Sequence, residues 1–147
     1  VVAREPYGGE RMSKPIVLFL CTHNAGRSQL GAALMHHRAG DRFEVRSAGV
    51  APAEAINAAG AASLAELGID TSHRVPRRVT EADLLEADVV VAMKPGLTLP
   101  AQPSGQLIVW QLPDPGDWDV ESIRPLRDEI DSRVQQLAAD LAVPGQP

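Results

Sequence analysis

The sequence predicts an open α/β fold, a four-stranded parallel sheet with helices on both faces, and three observations carry that prediction. Short apolar runs at 16–20, 88–92 and 107–110 have the length and the β-branched content of strands buried on both sides. Helical periodicities fall between and after these runs, so strands and helices alternate along the chain. The 147 residues suit one such unit, and with aromatics at 3% its core must be built from Val, Leu, Ile and Ala.

Residues 1–14, with Gly8, Gly9 and scattered charges, read as a flexible leader without the apolar segment of a secretory signal, and Met12 is an alternative start. A single domain follows over 15–142. Its first strand is Pro15 to Leu20, ending beside Cys21. Ser28 to Arg38 places Leu30, Ala33, Leu34 and His37 at helical spacing, with His36 and His37 read as surface residues or His37 as half-buried, and Gly40-Asp41 as the stop. Phe43 to Ser47 alternates as a second strand, and Glu54 to Leu67 reads as a helix closed by Gly68. A loop with His73, Arg74, Arg77 and Arg78 leads to a short helix over Thr80 to Glu86. Asp88 to Ala92 is the third strand, Lys94 to Gln106 a surface loop rich in Pro and Gly, and Leu107 to Trp110 the fourth strand. In the last helix Ile123, Leu126, Ile130, Val134, Leu137 and Leu141 recur at steps of three and four, with Arg127, Asp128, Asp131 and Arg133 on the other face. Residues 143–147 form a flexible tail.

Composition excludes several functions. A net charge of −5 supplies no basic field for nucleic acid or anionic lipid, and few aromatics mean no base-stacking platform. No apolar run reaches membrane-spanning length. The sequence has one cysteine, so no internal disulfide forms and a reducing, cytoplasmic setting is expected. His36 and His37 are adjacent on a helix with no acidic or cysteine partner at ligand spacing, so no metal site is expected.

Cys21-Thr-His-Asn-Ala-Gly-Arg27 joins a strand to a helix N-terminus, where consecutive backbone N–H groups can surround one tetrahedral oxyanion. Thr22, His23, Asn24, Ala25, Gly26, Arg27 and Ser28 form the expected binding set, Gly26 allowing close approach and Arg27 offering a planar fork to two oxygens. The same positive environment favours the Cys21 thiolate, the attacking species. A lone cysteine ending a strand is otherwise a buried small hydrophobe. Ser28 is either a helix cap or a hydrogen-bond donor to the thiolate. Attack on an oxyanion expels an oxygen that leaves better when protonated, and Asp114, in the stiff Leu112-Pro-Asp-Pro115, is the candidate acid. Its other reading is an Asp-Pro turn.

These residues resemble the low-molecular-weight protein tyrosine phosphatase superfamily, over nearly the whole stretch from Ile16 to Leu141. The resemblance implies a flavodoxin-like fold, catalysis by Cys21, Arg27 and Asp114, and a loop-shaping network of Asn24, Ser28, Ser47 in Ser47-Ala-Gly49, and His73. Arg27-Ser-Gln29, and Leu112-Pro-Asp-Pro115 followed by Arg124-Pro-Leu-Arg-Asp-Glu-Ile130, are similar to the arsenate reductase branch. Gly116 and Asp117 stand where phosphatases of this type carry aromatics that flank a phosphotyrosine ring, and Trp118 comes later. Thioredoxin-coupled reductases carry two further cysteines in a stretch that here reads Met93-Lys-Pro-Gly-Leu-Thr-Leu-Pro100, with Pro95 and Leu99 at their positions. The resemblance therefore implies an external thiol, mycothiol with a mycoredoxin, or glutathione with glutaredoxin, and no bound cofactor.

Three functions remain open at this stage: a thiol-dependent arsenate reductase, a phosphatase working through a cysteinyl phosphate, and a non-catalytic oxyanion-binding module. Arg74, Arg77 and Arg78 are either a solvated loop or a means of recruiting an anionic thiol or partner. Trp118 lines the mouth of the site or closes the core.

Overall fold

A computed structural model describes residues 13–141. Most of the expected leader, residues 1–12, and the tail 143–147 lie outside the described residues. The elements run β1 (Ile16–Cys21), α1 (Arg27–Ala39), β2 (Glu44–Gly49), α2 (Ala58–Ala65), α3 (Glu81–Glu86), β3 (Val89–Ala92), β4 (Gln106–Val109) and α4 (Val120–Leu141). All pairings are parallel, in the order β2-β1-β3-β4. The predicted fold class and strand order of appearance are borne out.

Strand β1 holds the centre because Val17, Leu18, Phe19 and Leu20 are all fully buried, alternate side chains feeding opposite faces of the sheet. Val17 and Phe19 pack with α1, α2 and α4 through Leu30, Leu34, Leu64, Ile123 and Ile130. Leu18 and Leu20 pack with Leu84 of α3, Val79 and Val90, while Leu97 and Leu99 of the Pro- and Gly-rich loop rest on them. One face thus carries three helices and the other one short helix plus a loop. Asp88, expected inside β3, stands just before it and stitches the sheet: its carboxylate accepts from Ile16 N (2.8 Å) and its carbonyl from Gln106 N (3.0 Å). No helix of the described residues is long and apolar enough to cross a membrane.

His36 and His37 are both exposed, as surface residues of α1, because burial on that helix ends at Met35 and resumes only at Ala39. One expectation about faces is corrected. Arg127, placed on the polar face of α4, is 8% exposed. It is affordable there because its guanidinium donates to the Ser63 carbonyl and to Glu66 (2.8 Å each) and to Asp128 (2.8 Å). Trp118 packs against the main core, so of its two readings the structure selects core closure.

Helix α2 begins at Ala58, four residues later than the periodicity suggests. The reason lies in the active-site loop: the amides of Ala53 and Asn57 are spent on the carbonyls of His23 (3.0 Å) and Ala25 (2.9 Å), so the chain here is a wall of the loop before it can turn helical. Asn57 then caps the helix, its Oδ1 accepting from Gly60 N at 2.9 Å.

Candidate active site

The loop between β1 and α1 is turned inside out by its neighbours. Val50, Ala51, Ala53 and Asn57 donate their amides to the carbonyls of Cys21 (3.3 Å), Thr22 (2.8 Å), His23 (3.0 Å) and Ala25 (2.9 Å), and Gln29 Nε2 donates to the Asn24 carbonyl (3.0 Å). With the carbonyls held outward, the amides of residues 22–26 face the interior of the turn, and among the described residues none of them has a protein acceptor. Helix α1 adds its N-terminal dipole with no side-chain cap and no acid in its first turn. Residues 50–57 pass this close because Gly49 precedes them: a Cβ there would stand 2.7 Å from Thr22 O and 2.8 Å from Asn24 N.

Asn24 takes a left-handed conformation, φ 52°, which an Asn tolerates better than most residues. Its side chain sets the proton order of the site. Backbone Arg77 N can only donate, so the atom facing it at 2.9 Å is Asn24 Oδ1, and Nδ2 points to Ser28 Oγ at 2.7 Å. Ser28 Oγ, accepting from Asn24, lies 2.9 Å from Cys21 Sγ and has its own proton to offer a thiolate there. Ser28 makes no helix cap.

Cys21 is 2% exposed, yet it lines a cavity of about 260 Å³ together with His23, Gly26, Arg27, Asn57 and Asp114. That placement separates it from a thiol packed only in the core. Arg27 is buried and donates from Nη1 to the Leu112 carbonyl at 3.0 Å, so it touches the acid-bearing loop two residues before Asp114. Asp114 is exposed at the cavity, and its Oδ1 accepts from Gly116 N at 3.0 Å, leaving Oδ2 open to a proton. Asp114 thus makes the turn and faces the cavity at once. Pro115 packs so near Gly26 that a Cβ there would lie 3.1 Å from its Cγ.

The structure brings Cys21, Asn24, Arg27, Ser28 and Asp114 together. Ser47 and His73 make no hydrogen bond to this loop; both line a separate concavity with Gln29 and Arg77. The sequence reasoning gave no structural role to Gln29, named only as part of the branch resemblance, or to Asn57. Gln29 struts the Asn24 carbonyl, and Asn57 binds the two loops, with its N on Ala25 O (2.9 Å) and its Nδ2 on Pro115 O (3.2 Å). An Asn directly before a helical period is a cap signal, which was the available clue to the second. Among the described residues no group of His, Cys, Asp or Glu could hold a metal ion.

The family model of low molecular weight phosphotyrosine protein phosphatases matches residues 16–146. The chain belongs to that family. It is 32% identical over 138 residues to an arsenate reductase of Halalkalibacterium halodurans, covering 86% of this chain and 97% of that one. It is 28% identical over 129 residues to a glutaredoxin arsenate reductase of Synechocystis sp., covering 86% and 98%. The solved thioredoxin-dependent arsenate reductase of Corynebacterium glutamicum superposes with a TM-score of 0.76 at 36% identity over 90% of this chain, which spans 64% of that protein's length.

Proposed function

We propose that this chain is a thiol-dependent arsenate reductase in which Cys21 is the nucleophile, Asp114 the general acid, and the amides of the loop with Arg27 the binding site. The observation that carries the reading is the hydrogen-bonded chain linking Arg77 N, Asn24, Ser28 and Cys21 Sγ, beneath amides that have no acceptor among the described residues. Arsenate fits such a ring as phosphate does. Sulfur attacks arsenic and forms an S–As bond, and the displaced oxygen takes the Asp114 proton and leaves as water. Arsenic is still pentavalent at this point.

Reduction needs two electrons from two thiols. With Pro95 and Leu99 in the loop where a cascade would need cysteines, and Cys21 the one cysteine of the sequence, both come from outside. A first low-molecular-weight thiol displaces Cys21 from arsenic, restoring the enzyme. A second thiol, on a redoxin, attacks the sulfur of that adduct; the S–As pair stays on arsenic, giving arsenite and a mixed disulfide. Relatives that use thioredoxin or glutaredoxin support a thiol reductant, and mycothiol with a mycoredoxin is the assignment proposed here, with glutathione and glutaredoxin its chemical equivalent, in a reducing cytoplasm.

The same groups would hydrolyse a phosphoester if water replaced the thiol, and the family match favours this second reading. Against phosphotyrosine stands the cavity rim, where Gly116 offers no ring to flank an aryl group. The test is consumption of reductant that depends on both arsenate and an added thiol, compared between the mycothiol and glutathione systems, beside hydrolysis of an aryl phosphate without reductant. Cys21→Ser should lower either turnover at least about a thousandfold while leaving the fold intact. Full activity in that variant, or phosphate release without any arsenate-dependent thiol oxidation, removes the reductase.

A further inference from the structure

A second cavity, of about 490 Å³, shares no lining residue with the first. Its wall includes Gln29, Arg46, Ser47, His73, Arg74 and Arg77. Two of the arginines are already neutralised, Arg46 by Glu44 and Glu86 and Arg77 by Asp83. The Arg74 guanidinium has no carboxylate or hydrogen-bond partner among the described residues, its backbone N alone donating to Thr71 O at 3.0 Å. Burial alone lowers its pKa.

Only two buried side-chain polar atoms of the described residues lack a partner, Gln29 Oε1 and Arg74 Nε, and both belong to this one wall. Gln29 is 4% exposed, and its amide cannot be turned over, because Nε2 is committed to the Asn24 carbonyl at 3.0 Å. A buried acceptor and a half-buried cation left without partners on one wall each cost free energy that a ligand would restore. The acceptor needs a donor and the arginine needs an anion.

We propose that this cavity is a second oxyanion site for free hydrogen phosphate, with its charged oxygens on Arg74 and its P–OH donated to Gln29 Oε1. One molecule supplies both halves of the requirement. Sulfate, fully deprotonated near neutral pH, carries the charge without the donor and is discriminated against. The site does not depend on chemistry at Cys21, but it reaches the first loop: Gln29 and Arg77 are the residues that hold the Asn24 carbonyl and side chain. A ligand that fixes the Gln29 amide stiffens the Asn24 turn, so occupancy here raises oxyanion affinity at Cys21, and the effect is reciprocal.

The test is titration with inorganic phosphate at constant ionic strength, followed by amide NMR, using protein alkylated at Cys21 and, separately, Arg27→Ala, each of which disables the first site. Saturable shifts at residues 45–47 and 73–77, weakened at least about tenfold in Arg74→Ala, are expected. Sulfate should bind at least about tenfold more weakly than phosphate. Methyl phosphate, mostly a dianion without a P–OH near neutral pH, should also bind at least about tenfold more weakly than phosphate, and equal binding would overturn the donor requirement. Shifts confined to residues 22–28, unchanged affinity in Arg74→Ala, or equal binding of sulfate overturns the proposal.

Discussion

Asn57 does two separable jobs, and separating them tests how the site is assembled. Its Oδ1 caps α2 through Gly60 N at 2.9 Å, and its Nδ2 clamps the acid loop through Pro115 O at 3.2 Å. Its backbone N, which no substitution short of Pro removes, holds Ala25 O at 2.9 Å. Asn57→Ser keeps a hydroxyl that can cap but cannot reach Pro115, whereas Asn57→Ala loses cap and clamp together. The cap is worth about 1 kcal/mol and the neutral hydrogen bond about 1 kcal/mol, so Ala should lose about 2 kcal/mol and Ser about half of that. Catalysis should follow a different pattern. Releasing Pro115 lets Asp114 drift, and a misplacement of about 1 Å costs on the order of a hundredfold in rate, so both variants should lose kcat about equally. KM for arsenate should change little, because the loop carbonyls stay tied by backbone amides. Steady-state kinetics beside urea denaturation reads both quantities. Wild-type kcat in Asn57→Ser, or kcat losses that scale with stability across the pair, would refute the clamp.

Other perturbations act on different parts of the same construction. Arg27→Lys keeps the charge but loses the fork and the Leu112 contact, and should weaken phosphate or arsenate binding by about tenfold to a hundredfold, measured by calorimetry. Gly49→Ala drives a methyl against Thr22 O and Asn24 N, and should cost about 1–3 kcal/mol with loss of anion binding at temperatures where the chain is still folded. Hydrogen bonds from Arg124 and then Arg127 lower the Glu66 pKa from 4.5 to about 2. A depressed carboxyl stabilises above its unfolded pKa, so this contribution is whole above about pH 4.5 and disappears as pH falls toward 2. Glu66→Gln should flatten the stability curve across that window in denaturation at a series of pH values, and an unchanged slope would show that the pair does not couple to folding.

The elements that sequence alone predicts well are those whose own residues decide them. Val17 to Leu20 can only be a strand buried on both faces, and the stripe of α4 from Ile123 to Leu141 finds the core as its spacing requires. The elements it misplaces are decided by distant partners. α2 starts late because Ala53 and Asn57 serve a loop some thirty residues upstream, and Arg127 goes inside because Ser63 and Glu66 meet it there. Periodicity treats every arginine as a surface residue and has no means of knowing its acceptors. The meeting of Cys21 and Arg27 follows from their spacing in one loop, and the stiff Asp-Pro loop brings Asp114 to the same cavity. The roles of Gln29 and Asn57 were not legible, because each depends on a carbonyl whose direction only the folded loop defines.

An acidic chain that binds an anion must keep its arginines from being used up. Arg38, Arg46, Arg77, Arg124, Arg127 and Arg133 are all engaged by carboxylates, so most of the positive charge is cancelled locally and contributes no general field. Arg27 is spared that fate: its partner is the neutral carbonyl of Leu112, and the helix it begins has no acid in its first turn. A carbonyl satisfies one N–H without cancelling the charge. The remaining N–H groups and the whole positive charge stay available to an oxyanion, while the Leu112 contact makes Arg27 a seat for the loop that carries Asp114. Selectivity for a tetrahedral anion over a carboxylate then comes from the surrounding amides, whose directions are set by residues 50–57 and not by charge at all. Added salt should therefore weaken arsenate binding only modestly compared with a site built on an exposed basic patch.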